Sequence, residues 1–136
     1  MPEEKLTARQ WLGRARDISS QLESWREVRQ SLFDGLTKTT QNYSSDGAQT
    51  TKDPHKYDRL AELNEIINQK EKELDGLKLE ITEKILCIPS GNQRAVLLSY
   101  YVAGKTVEEI AEKRDCSPRA IRNVKKRGEI WIGNTL

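Results

Sequence analysis

KTVEEIAEKRDCSPRAIRNVKKR, Lys105–Arg127, is the stretch whose reading decides the fold. Thr106 is placed to N-cap a helix, and Glu109, three residues on, completes a capping box in which each side chain satisfies the other's free backbone N–H. Val107, Ile110 and Ala111 then share one helical face. Ala111 is small, and a small residue where two helices cross steeply lets them approach. The turn is Arg114-Asp115-Cys116. Ser117 starts a second helix, with Pro118 at the first helical position, where a missing N–H costs nothing. Its inward residues are Ile121 and Val124. Its outward residues are Arg119, Arg122, Asn123, Lys125, Lys126 and Arg127.

Capping, apolar spacing, a small crossing residue and a basic outer face together predict a helix-turn-helix, whose second helix enters the DNA major groove. The plain alternative is a helical pair with a solvated basic face. In such a motif the first turns of the second helix meet the bases. Arg119, Arg122 and Asn123 are therefore the base-reading candidates, because Arg can bridge guanine O6 and N7 and Asn can bridge adenine N6 and N7. Thr106, Ser117, Lys125, Lys126 and Arg127 are better placed for phosphate, partly through helix N-termini.

The stretch Asn92–Arg127, NQRAVLLSYYVAGKTVEEIAEKRDCSPRAIRNVKKR, resembles region 4 of bacterial sigma factors. It is similar in particular to the small sigma-like regulators of phages and mobile elements of Gram-positive bacteria, the ArpU/RinA-like late-gene activators. Leu97, Tyr100, Tyr101, Gly104, Lys105, Thr106, the run Glu108 to Glu112, Ser117, Ile121 and Arg122 carry the likeness, which extends more weakly to the layout of the N-terminal part. The resemblance implies that the positions of Arg119, Arg122 and Asn123 read bases or adjacent phosphates. Two features depart from the pattern. Asp115 stands where the turn usually has Gly, although Asp tolerates the left-handed conformation better than most residues. After Arg127 an alanine- and leucine-rich helix is usual, whereas this chain runs Gly128-Glu129-Ile130-Trp131-Ile132-Gly133. Two readings of that tail stand: the second helix continues and packs through Trp131, or Gly128 ends it.

Composition agrees with a narrow helical core. Of 136 residues, 35% are hydrophobic and 32% charged, low in apolar content and high in charge for a globular domain. The net charge of +2 is unevenly spread. Residues 90–136 hold nine Lys and Arg against five Asp and Glu, a net of +4, which leaves −2 for the other residues. Positive charge thus collects in the DNA-binding candidate, the expected electrostatic footprint. Cys87, Cys116 and His55 form no zinc-ligand spacing, so no metal is expected and both cysteines are read as reduced. No apolar run approaches membrane-spanning length and no signal core opens the chain, so a cytoplasmic protein without membrane contact is expected.

Upstream, Thr7 and Gln10 predict another capping box, with Leu6 and Trp11 as a hydrophobic staple. Trp11, Ala15, Ile18, Leu22, Trp25, Val28 or Arg29, Leu32 and Leu36 recur at spacings of three and four. They predict one long helix from about Ala8 to Lys38. The polar, aperiodic segment from Thr37 to Pro54 reads as a loop, at about 39–53. Asp53 and Pro54 predict the start of a second long helix. Its seam is Tyr57, Leu60, Leu63, Ile67, Lys70, Leu74, Leu77, Ile81, Ile85 and Ile88. A second partial stripe, Leu12, Ile66 and Leu86, points to further packing partners. Pro89 to Gly91 breaks this helix, and Ser90 with Gln93 can cap the next one. Val96, Leu97, Tyr100 and Tyr101 face inward up to Gly104, a natural helix-ending residue. The tyrosines are expected as core with an exposed OH.

The expected fold is all-α: a long antiparallel, coiled-coil-like helical hairpin over 1–88, then a helix-turn-helix domain over 89–136. The hairpin is expected to form a homodimer; the alternative is that it packs back on its own C-terminal domain. No catalytic constellation and no phosphate-binding Gly-rich loop are present, so an enzyme is not expected, nor is a cofactor. The function expected is a sequence-specific, DNA-binding transcription regulator, an activator of a phage or mobile element, with double-stranded DNA and RNA polymerase as partners. The rivals are a DNA-packaging protein like a small terminase subunit, and a module that grips polymerase or a sigma factor.

Overall fold

A computed structural model describes the backbone of residues 6–43 and 56–136, and side chains at 6–36 and 57–136. The fold is all-helical, with no strand among the described residues. Its elements are α1 (Ala8–Leu12), α2 (Arg14–Tyr43), α3 (Lys56–Leu86), α4 (Gly91–Leu97), α5 (Val107–Lys113) and α6 (Pro118–Thr135). A π-helical turn, Leu98–Val102, extends α4. No described helix is long and apolar enough to cross a membrane.

Several boundaries follow local chemistry. Thr7 and Gln10 form the reciprocal capping box at the start of α1. The expected single helix from Ala8 is interrupted at Gly13, the C-cap of α1. A Cβ there would lie 2.8 Å from the Arg9 carbonyl oxygen, so only glycine fits that tightened turn. The helix also runs further than expected. Residues 39–43, assigned to the loop, are helical to Tyr43, because a polar, Thr-rich composition weakens a helix without stopping it. The rest of that loop, with the expected Asp53-Pro54 cap and His55, lies outside the described residues.

The chain divides into two compact units, one formed by the chain up to Ile18 with Leu74–Leu136, the other by Ser19–Glu73. The sequence placed a boundary at 88/89, whereas the division falls inside α2 and α3.

In the first unit, α1, α4 and α5 all pack on α6. Val96, Ile110, Ala111 and Ile121 form a buried cluster, with Tyr100, Val107 and Val124 against it. Leu12, Ala15, Ile81, Ile85, Ile88, Leu97 and Ile132 are also buried. Leu86, assigned to a partial stripe, is exposed instead, since α3 ends there and the following turn moves inward only at Ile88. The tail after Arg127 continues as helix to Thr135. Gly128 is buried there, and a Cβ would lie 2.7 Å from Leu97 Cδ1 and 3.1 Å from Leu97 Cγ. This glycine lets α6 cross α4 closely rather than ending the helix.

In the second unit, Arg26 pairs with Glu71 at 3.0 Å and Arg29 donates to Asn64 at 3.3 Å. One partner number rises as the other falls, so α2 and α3 run antiparallel here. Leu22 on α2 and Leu63 and Ile67 on α3 are buried here.

The α5–α6 turn closes as the helix-ending pattern demands. Asp115 has φ of 54°, in the left-handed region. Cys116 N–H donates to the Ala111 carbonyl at 3.0 Å and Asp115 N–H to that of Glu112 at 3.2 Å. These are the two bonds of a Schellman motif. Asp115→Gly removes the residual Cβ strain and is expected to raise stability by about 1 kcal/mol; thermal unfolding checks it, and a lower melting temperature would contradict the reading.

Candidate nucleic-acid interface

Both helices of the candidate interface begin as their sequences require. Thr106 Oγ1 accepts from Glu109 N–H at 3.1 Å, and Glu109 Oε1 accepts from Thr106 N–H at 3.3 Å. Ser117 Oγ accepts from Ala120 N–H at 3.1 Å, with Pro118 opening α6. Each hydroxyl therefore serves its own helix first, and its O–H stays available as a donor.

Arg119, Arg122, Asn123, Lys126 and Arg127 are all exposed on α6. Their spacings of three and four place them on one face. Arg122 meets Glu108 of α5 at 3.3 Å, with both side chains mostly in solvent. An exposed pair of this kind contributes about 0–1 kcal/mol, so it leaves Arg122 able to exchange Glu108 for another acceptor. Arg114 donates to Asn92 at 2.7 Å, tying the turn back to α4.

Lys125 does not belong with them. The sequence assigned it to phosphate, but its ammonium donates to Glu129 Oε1 at 2.6 Å and lies over the Tyr100 and Tyr101 rings at 4.4 and 5.3 Å. Its side chain is 14% exposed and that of Glu129 is 5% exposed. The apolar face of α6 runs Ile121, Lys125, Gly128, Ile132, so Lys125 points inward.

Glu129 is the buried centre of a network. Its other carboxylate oxygen accepts from Arg9 Nε of α1 at 2.8 Å. Arg16 donates to the Tyr100 carbonyl at 2.7 Å, and its guanidinium stacks 4.1 Å over the Tyr100 ring. The π-helical turn presents both tyrosine rings to these cations, in an edge-to-face pair 4.8 Å apart. Burial pushes the Tyr101 phenol far above its usual value, and the adjacent Glu129 carboxylate pushes it further, so Tyr101 stays protonated. The Glu129 hydrogen bond and charge likewise raise the Arg9 guanidinium, which stays charged.

No family model, curated protein or solved structure matches this chain.

This network is what sequence reasoning missed. Arg9 and Arg16 lie more than a hundred residues from Glu129 or eighty from Tyr100, and no periodic signal links them. Glu129 and Lys125 were recoverable: continuing α6 past Gly128 puts both beside Ile121 and Ile132. Glu129 thus pairs with the inward Lys125 and with the exposed Arg9, joining α6 to α1.

Proposed function

We propose that the protein is a sequence-specific, DNA-binding transcription regulator. In this reading α5, its left-handed Asp115 turn and α6 act as a helix-turn-helix, and α6 enters the major groove. The observation that carries it is the exposed face Arg119–Arg122–Asn123–Lys126–Arg127 on a helix held by the Glu129 network. Arg119, Arg122 and Asn123, nearest the α6 N-terminus, read bases. Lys126 and Arg127, one turn further on, contact phosphate, with the Thr106 and Ser117 hydroxyls. Lys125 has no DNA role. The resemblance of Asn92–Arg127 to sigma region 4 accords with this reading and suggests an activator of a phage or mobile element, working beside RNA polymerase in a bacterial cytoplasm. The antiparallel α2–α3 pair would be the arm that joins two copies.

Salt dependence tests the phosphate contacts. Log affinity falls linearly with log salt, with a slope near −0.9 for each phosphate neutralised on duplex DNA. Lys126→Ala/Arg127→Ala is expected to make the slope shallower by about 2 and to weaken binding similarly on every sequence. An unchanged slope would remove these two residues from the interface. A near-absence of salt-dependent duplex binding would favour the protein-interaction reading instead.

A further inference from the structure

Among the described residues of the Ser19–Glu73 unit the apolar side chains buried are Leu22, Leu63 and Ile67. Helices in water depend on burying an apolar stripe against something. On α2, Val28 and Leu32 remain 48% and 42% exposed, and on α3 Ile66 remains 37% exposed. At 100° per residue, Gln21, Ser24, Val28, Ser31, Leu32 and Gly35 fall within one arc of α2 about 100° wide. All six are exposed and none is charged, in a chain that is 32% charged. The acids Glu23, Glu27 and Asp34 lie outside the arc.

The position of α3 fixes which way this arc points. α3 lies along the Leu22–Trp25–Arg29 flank of α2, next to the arc. Two right-handed helices running antiparallel then put Ile66 on the same side as Val28 and Leu32. The Arg29–Asn64 bond sets Ile66 nearly level with Val28.

We propose that this face docks on the same face of a second copy, about a two-fold axis passing beside Val28. The proposal rests on the reading of the arm as the dimerising part and assigns its interface. Two properties select a second copy as the occupant. A two-fold interface buries the same patch on both copies, and this arc carries no charge that would have to be desolvated there. The sizes also match. With α2 antiparallel to its symmetry mate and Val28 on the axis, residue numbers facing each other sum to 56. Leu32 then meets Ser24 and Gln21 meets Gly35, so these larger side chains face small ones, while Val28 meets Val28. The same axis brings Ile66 beside Ile66 of the second copy, covering the exposed apolar residue of α3.

The test uses the full chain with Cys87→Ser and Cys116→Ser, since both native thiols are exposed. Adding Val28→Cys places one thiol at the axis. Oxidation is expected to link most of the protein as a covalent dimer, while Glu27→Cys, outside the arc, links far less. Separately, Val28→Glu is expected to give a monomer in sedimentation, with DNA affinity lowered at least tenfold. A wild-type monomer, or a dimer that Val28→Cys does not cross-link, would overturn the assignment. A monomer that still selects a DNA sequence sinks the interface and leaves the DNA-reading function standing. A cross-linked dimer that ignores DNA does the reverse.

Discussion

Glu129→Ala is expected to destabilise the protein by about 3 kcal/mol, the lower end for removing one partner of a buried ion pair. The mechanism is specific. Lys125 is 14% exposed and cannot swing out to water without leaving the Tyr100 and Tyr101 rings. Without Glu129 its ammonium keeps only those rings, and Arg9 loses the bond that ties α1 to α6. For a domain of under a hundred residues, 3 kcal/mol corresponds to a drop in melting temperature on the order of 10–20 °C. Thermal unfolding followed by circular dichroism measures it. Lys125→Met/Glu129→Leu, which replaces both charges with apolar groups, is expected to recover most of the loss. If Glu129→Ala unfolded within two or three degrees of the wild type, Glu129 would not hold the network together.

Gly128→Val is expected to cost a similar amount by a different route. A glycine inside a helix is ordinarily a weak point, and replacing it with alanine should gain up to about 1 kcal/mol. Here the new Cβ would stand 2.7 Å from Leu97 Cδ1 and 3.1 Å from Leu97 Cγ. Leu97 is fully buried, so it has no open space to move into. Forcing extra atoms into a filled core costs roughly 1–3 kcal/mol. Gly128→Ala should therefore come out slightly destabilising, and Gly128→Val close to 3 kcal/mol. Gly76 is the internal control, since a Cβ there meets nothing within 4 Å. Gly76→Ala is the substitution that should stabilise. If Gly128→Ala stabilised as much as Gly76→Ala, the close crossing of α4 and α6 would be refuted.

The parts of the fold legible in the sequence are those set by local chemistry. The capping boxes at Thr7 and Thr106, the Ser117-Pro118 start, the Asp115 turn and the Gly104 stop each need only four to six consecutive residues, and each stands where its residues placed it. The seam of α3 was equally legible, since Leu63, Ile67, Leu74, Ile81 and Ile85 are buried at spacings of a helical period that only Lys70 interrupts. What failed were boundaries governed by weaker forces. The break at Gly13 depends on a single backbone contact, and the extension of α2 to Tyr43 runs through residues that neither favour nor forbid a helix strongly.

The candidate site was legible on its outer face and illegible beneath. Arg119, Arg122, Asn123, Lys126 and Arg127 are exposed on one face of α6, which continues one turn on to the exposed Ile130. Lys125 was misread because a lysine among lysines looks like surface, and its place on the Ile121–Gly128–Ile132 face shows only once α6 is continued past Gly128. Arg9 and Arg16 were invisible as parts of the site, since their partners are distant in sequence and the bonds depend on how α1 and the π-helical turn come together.

The central claim is that α6 reads bases. The most direct measurement is selection of bound fragments from random duplex DNA at physiological salt, wild type beside Arg119→Ala/Arg122→Ala. The account predicts one enriched motif for the wild type and its loss in the variant, with affinity for that motif lowered on the order of 30-fold or more, as expected for two base contacts of 1–3 kcal/mol each. Circular dichroism should be unchanged, since both side chains are exposed and only the surface pair with Glu108 is lost. Equal, unselective binding by both proteins would contradict the claim.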